Sequence, residues 1–128
     1  MNERVFTERA PKPIGPYSQA VRADDFLFIS GQLGLDPATM KLKSDSVEEQ
    51  TRQALANVRA ILEAAGLSAS DLVKVTGMLA DIDDFPAFNK AYVEFFTGFA
   101  PARATFAVAG LPMNAMVEIE AVAYSARK

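Results

Sequence analysis

Only two segments of this chain carry helical periodicity, and the strand-like runs around them are apolar on both sides. In the run from Leu72 to Ile82, Val73, Val75 and Leu79 alternate with Leu72 and Met78, so neither face of that strand is polar. Two helices can cover one face of a sheet made from such runs. The other face has to be hidden by something outside the domain, and self-association of the chain is the expected cover.

Local signals set the order of elements. Ala10-Pro11-Lys12-Pro13-Ile14-Gly15-Pro16-Tyr17 reads as an ordered loop. Ser18 to Arg22 and Phe26 to Gly31 read as strands of a hairpin turned by Ala23-Asp24-Asp25. Leu33 to Lys43 is loop. Ser46-Val47-Glu48-Glu49 fits a capping box, in which Ser46 takes a free amide of the first turn and Glu49 reaches back. Val47, Ala54, Leu55, Val58, Ile61, Leu62 and Ala65 follow at helical spacing, and Gly66 stands where a left-handed cap belongs. After the strand at 72–82, Asp83 or Asp84 caps a second helix with Pro86 in its first turn. Phe85, Phe88, Tyr92, Phe95 and Phe96 form its apolar stripe, read as core, and Gly98 ends it. Strands at about Ala104 to Ala109 and Met116 to Tyr124 complete the chain, separated by the turn-like Gly110-Leu111-Pro112-Met113-Asn114. The pattern predicts an α/β domain with a mixed sheet and its helices on one face.

Composition narrows the function. A chain of 128 residues is one domain's worth. Its net charge is −3, and its positive charges are scattered, so it lacks the basic stripe that releases counterions from phosphates. It has no cysteine and no histidine. That removes disulfides and thiolates, the commonest general base and any Ser-His-Asp triad. The commonest zinc ligand is missing too, and no spacing of carboxylates points to a metal site. Met1-Asn2-Glu3-Arg4-Val5-Phe6 lacks an apolar signal core, and no apolar run is long enough for a bilayer, so the expected location is the cytoplasm.

The remaining candidates for chemistry are Arg, Glu, Asp, Tyr and backbone groups. Arg103 lies among small residues in Pro101-Ala102-Arg103-Ala104-Thr105, where a guanidinium can meet a carboxylate through two parallel bonds. The competing reading is a surface ion pair. Glu118 and Glu120 fall on one face of the last strand, roughly 6.5–7 Å apart, and either can position a water. A solvated strand face is the competing reading there. Ser30-Gly31-Gln32 ends an apolar strand, and Gly31 permits close approach to a ligand or simply forms a bulge. Tyr17 can offer its hydroxyl or merely pack. Asn89 can bond site residues or backbone, or stand exposed.

Taken in order, these segments resemble the RidA/YjgF family of enamine/imine deaminases, also known as the endoribonuclease L-PSP family. The resemblance is carried by Ile14-Gly15-Pro16-Tyr17-Ser18-Gln19-Ala20, Phe28-Ile29-Ser30-Gly31-Gln32-Leu33, Gln53-Ala54-Leu55-Ala56-Asn57-Val58, Asp84-Phe85, Asn89, Pro101-Ala102-Arg103, Leu111-Pro112 and Val117-Glu118-Ile119-Glu120-Ala121. It spans nearly the whole chain and implies a single domain over 1–128. The implied fold is chorismate-mutase-like α+β, a mixed sheet with two helices on one face. Three copies would then close a central barrel, with ligand clefts between neighbouring subunits.

The implied activity is hydrolysis of 2-imino acids, formed from 2-aminoacrylate or 2-aminocrotonate, to 2-oxo acids and ammonia. It uses no cofactor and no metal, and it protects pyridoxal-phosphate enzymes. The implied partners are a small imino or oxo acid and two further copies of the chain; no membrane is expected, and the acidic balance and absent histidine count against nucleic acid. Carried over by position, Arg103 clamps the carboxylate and Glu118 positions water. Tyr17, Ser30, Gly31 and Asn89 line the pocket, and Thr105 stands where the family contacts substrate through its backbone. Many members have cysteine at the position of Thr105. An endoribonuclease and a non-catalytic carboxylate binder are the alternative functions.

Overall fold

A computed structural model describes residues 2–126. The expected domain runs over 1–128, of which Met1, Arg127 and Lys128 lie outside the described residues. The elements in chain order are β1 (Glu3–Val5), β2 (Ala20–Ala23), β3 (Phe26–Leu33), α1 (Val47–Ala64), β4 (Leu72–Leu79), α2 (Phe85–Phe95), β5 (Ala102–Ala107) and β6 (Val117–Tyr124). The strands form one sheet in the order β1-β2-β3-β6-β4-β5. β4 and β5 are parallel, joined by the α2 crossover, and the other neighbours are antiparallel. This is the expected mixed α+β sheet.

Both helices cover one face. Leu27, Ile29, Leu72, Val75, Leu79, Val117, Ile119 and Ala121 from the strands pack there against Leu55, Val58, Ile61, Leu62 and Phe88, all buried. Burial of this set supplies most of the driving force for folding. The opposite face is open and carries an aromatic group: Phe26, Phe28, Phe106 and Tyr124 are each 42–49% exposed. Phe26 packs edge-on against Tyr124, with ring centroids 5.1 Å apart.

Several local expectations shift. β1 pairs with β2 at the sheet edge and carries no pattern that the sequence reading used. The register of β4 against β6 slips between Leu72 and Lys74. That irregularity absorbs one residue, so Leu72 lies on the same buried face as Val75 and Leu79 rather than opposite them. β4 ends at Leu79, where Asp81 caps a short 3₁₀ turn over Ile82–Asp84 by accepting from the Asp83 amide. Asp84 then precedes α2 without a side-chain cap bond, and α2 closes at Phe95, ahead of Gly98. β5 begins at Ala102, so Arg103 lies inside the strand.

The start of α1 is half of a capping box. Ser46 Oγ accepts from the Glu49 amide at 3.3 Å, but the Glu49 carboxylate turns to Arg52 instead of reaching back. Gly66 takes φ of +78°, the left-handed conformation that ends the helix and that a Cβ would disfavour.

Three buried amides tie loops to this frame. Gln19 bonds Thr7, Ala10 and Pro11. Gln50 bonds the Ser44 carbonyl and the Met116 amide. Asn57 donates to the carbonyls of Leu33 and Leu35. Among the described residues no helix is long and apolar enough to cross a membrane.

Candidate active site

Register places Arg103 on the helical side of the sheet. It stands beside Val75, which in turn stands beside Ala121, and both of those are buried beneath the helices. α2 crosses there. Its residues 85, 88, 89 and 92 fall on one helical face at spacings of three and four.

Asn89 Oδ1 accepts from Arg103 Nη1 at 2.8 Å. The guanidinium carbon lies 4.7 Å from the centre of the Tyr92 ring. It lies 5.6 and 5.7 Å from the rings of Phe85 and Phe88. The side chain is otherwise exposed, and no carboxylate among the described residues pairs with it. The surface ion pair that spacing allowed is therefore not what holds Arg103. A cleft of about 380 Å³, with Pro101, Asn89, Tyr92, Phe96 and Arg103 in its wall, opens beside it. Thr105 follows on the same face of β5, with its hydroxyl buried and unpaired. β5 is the edge of the sheet, so the outward backbone groups around Arg103 and Thr105 meet no further strand.

Glu118 stands on the opposite face. It pairs with Met78 in β4, on the alternate side from Val75 and Ala121. Across the sheet, Ile29 pairs with Ala121 and Gln32 with Ile119, which leaves Ser30 and Gly31 together opposite Glu120. That is a β-bulge. A Cβ at Gly31 would lie 2.7 Å from Glu118 Oε2 and 2.9 Å from its Cδ. The glycine that the sequence offered for close approach to a ligand is first needed for close approach of Glu118.

Ser30 Oγ donates to the Ser18 carbonyl at 2.6 Å and fastens the bulge to the N-terminal loop. In that loop the Ile14 amide donates to the Tyr17 hydroxyl at 3.3 Å. Tyr17, Ser30, Gly31, Gln32, Glu118 and Glu120 share one cavity of about 420 Å³. Half-burial pushes the Glu118 carboxyl above the ordinary carboxylate range, and the neighbouring charge of Glu120 pushes it the same way. Among the described residues no cation pairs with Glu118.

The residues singled out in the sequence thus gather into two groups. Arg103, Asn89 and Thr105 meet at α2, while Tyr17, Ser30, Gly31 and Glu118 meet at the bulge. Within one chain the sheet separates the groups. Sequence reasoning took Phe85, Phe88 and Tyr92 as core alone and missed that their faces also carry the guanidinium. The signal available was Asn89 sharing the helical face of those rings.

Sheet order and helix placement define a mixed α+β domain. Residues 7–125 match the family model described as Endoribonuclease L-PSP, and the chain belongs to this family, which includes the YjgF/RidA proteins. It is 52% identical to a RutC family protein of Pyrococcus horikoshii, over 97% of this chain and 98% of that one. It is 50% identical to the 2-iminobutanoate/2-iminopropanoate deaminase of Capra hircus, over 93% of this chain and 87% of that one. The crystal structure of E. coli TdcF with bound serine superposes with a TM-score of 0.93 at 40% identity, covering 97% of this chain and 99% of TdcF.

Proposed function

We propose that this protein hydrolyses 2-imino acids to 2-oxo acids and ammonia, with Arg103 binding the carboxylate and Glu118 managing the attacking water. The observation that carries the reading is Arg103 itself. An arginine held by an amide and an aromatic face, with no acid among the described residues paired to it, has a fork free for an incoming carboxylate. Two charge-assisted bonds of about 1.5–3 kcal/mol each are the expected anchor. The names of relatives near half identity support the same substrate, and the serine bound by TdcF is a small carboxylate of similar size.

The chemistry asks little acid–base power of the protein. Water adds to C2 of the protonated imine, the C–O bond forms, and the C=N electron pair moves to nitrogen. Glu118 takes one proton from that water and passes it to nitrogen. The C–N bond then breaks with its pair going to nitrogen, the O–H pair forms C=O, and the released proton passes through Glu118 to the departing ammonia, leaving a 2-oxo acid and ammonium. A carboxyl whose proton is held more tightly than usual suits both directions of that transfer. Orientation of an already electrophilic carbon supplies the remainder. Removing such imines would spare pyridoxal-phosphate enzymes that release 2-aminoacrylate from serine.

Arg103 and Glu118 lie on opposite faces of one sheet, so one chain does not present both to one substrate. We place the complete site between copies of the chain, with Arg103 from one and Glu118 from the next. A homotrimer closing its open apolar faces into a barrel satisfies this and hides Phe26, Phe28 and Tyr124. Thr105 then lines the cleft on the arginine side, and Tyr17, Ser30 and Gly31 line it on the acid side.

The test generates 2-aminoacrylate from serine in situ and follows imine loss together with pyruvate and ammonia. The wild-type protein should accelerate all three. Glu118→Ala should still bind pyruvate while losing turnover; loss of binding with turnover intact would overturn the assignment. Retained turnover in Glu118→Ala would remove the acid from the mechanism. Unaltered imine decay with wild-type protein would leave a carboxylate binder without catalysis.

A further inference from the structure

We propose that Tyr92 is the positioning residue of Arg103: its ring face sets the plane in which the guanidinium meets a carboxylate, and its hydroxyl takes no part. The inference rests on the reading of Arg103 as a carboxylate clamp and adds what makes the clamp rigid.

An arginine on an edge strand has a long stem with many rotamers, and a two-pronged bond to a carboxylate is lost when the fork swings out of plane. The single bond from Nη1 to Asn89 fixes one corner of the guanidinium. Rotation about that corner remains, and only a flat surface along the guanidinium can stop it. Tyr92 is the nearest such surface, at 4.7 Å, against 5.6 and 5.7 Å for Phe85 and Phe88. A cation over a ring face is attracted by the ring quadrupole and excluded from the space the ring occupies.

The ring is itself held. Tyr92 is 6% exposed and packs between Phe88 at 5.5 Å and Phe96 at 4.8 Å. Asn89 and Tyr92 are three residues apart on α2, so amide and ring move together with the helix. The Tyr92 hydroxyl is buried and makes no hydrogen bond among the described residues. It therefore accepts nothing from Arg103 and donates nothing to the strand. Burial also pushes its pKa up, which keeps the phenol neutral beneath the cation.

A ring that acts by its face predicts a pattern across variants. Tyr92→Phe keeps the face and discards an unpaired hydroxyl, so KM, kcat and thermal midpoint should match the wild type or improve slightly. Tyr92→Leu removes the face. KM for the imine generated in situ should rise about two- to fivefold, the loss of one exposed cation–π contact, with kcat changed by less than about twofold. Inhibition by pyruvate should weaken relative to inhibition by pyruvamide, because only pyruvate needs the clamp. Tyr92→Met has a similar bulk to leucine on a more adaptable stem, and answers the same question if Tyr92→Leu does not fold.

A residue that merely props the fold would lower the thermal midpoint in the leucine and methionine variants and leave the preference of pyruvate over pyruvamide at the wild-type ratio; that result overturns the proposal. So does a phenylalanine variant as impaired as the leucine one. Arg103→Ala, measured alongside, separates the two layers. If it keeps the pyruvate preference, the clamp reading falls and the role of Tyr92 with it. If it loses the preference while Tyr92→Leu and Tyr92→Met retain it, only the role of Tyr92 falls.

Discussion

The arginine half and the acid half of the proposed site are built by opposite means. Arg103 is placed by regularity, because an unbroken parallel pair aims it and one face of a helix receives it. Glu118 is placed by an irregularity, because a bulge in the neighbouring strand leaves a glycine against its carboxylate. The first half keeps a charge at the surface and can bind. The second withdraws an acid halfway from water, raises its proton affinity, and can exchange a proton. On the proposed reading, binding and proton transfer fall to different faces of one sheet, and a second copy of the chain would unite them.

The largest expected effect comes from separating the halves. Arg103→Ala and Glu118→Ala should each lower kcat/KM by at least about 10²-fold. Co-expressed in equal amounts, they should recover about one quarter of the wild-type rate, one half multiplied by one half, since each site needs an intact residue from each of two copies. Recovery no greater than that of either variant alone would mean both side chains serve one chain's own site, and the comparison would break.

Next comes the bulge. Gly31→Ala sets a Cβ 2.7 Å from the Glu118 carboxylate, so it should destabilise the fold by about 1–3 kcal/mol and displace the acid. Denaturant titration with turnover on the same sample checks both, and an unchanged rate would show that Glu118 need not sit where it does. Asn57→Ala removes both bonds to the Leu33 and Leu35 carbonyls and should cost about 1–3 kcal/mol. Turnover per folded molecule should survive, because that amide serves the frame shared by both halves.

The acid half also carries a pH signature. The Glu118 carboxyl titrates above its ordinary 4.5 because burial disfavours its charged form. A raised native value contributes stability below pH 4.5 that is lost as the pH climbs through the native value. Glu118→Gln should therefore melt slightly later than the wild type at pH 7 and show no such advantage near pH 4. An advantage that grows on acidification would reverse the assigned cause. The smallest effect belongs to Arg52, whose ion pairs with Glu48, Glu49 and Glu94 are exposed. Arg52→Ala should leave stability nearly unchanged because solvent screens exposed pairs, and chemical denaturation checks it.

The sequence made some of this legible and hid the rest for physical reasons. Both helices showed in their periodicity, because each buries a single stripe. The acids of β6 showed in their alternation, because that strand is regular. The two irregular pairings did not show. A bulge adds a residue without changing the residue types around it, so alternation puts Leu72 on the wrong face, and at Gly31 it leaves a ligand contact and a bulge equally open. Buried Gln19, Gln50 and Asn57 were equally opaque, since an amide that clamps a loop is spelled like one in solvent. Nor could spacing reveal that Arg103 and Glu118 point apart, which depends on strand order and not on the strands themselves.

The bulge at Ser30 and Gly31 also bears on how this chain can change over time. Surface loops usually absorb the gain or loss of a residue. Here the extra residue resets the phase of the strand, so deleting it would turn Gln32 and Leu33 to each other's side and carry the acid pocket's wall with them. Length at this point is as constrained as the choice of glycine at position 31, because either change would move the acid.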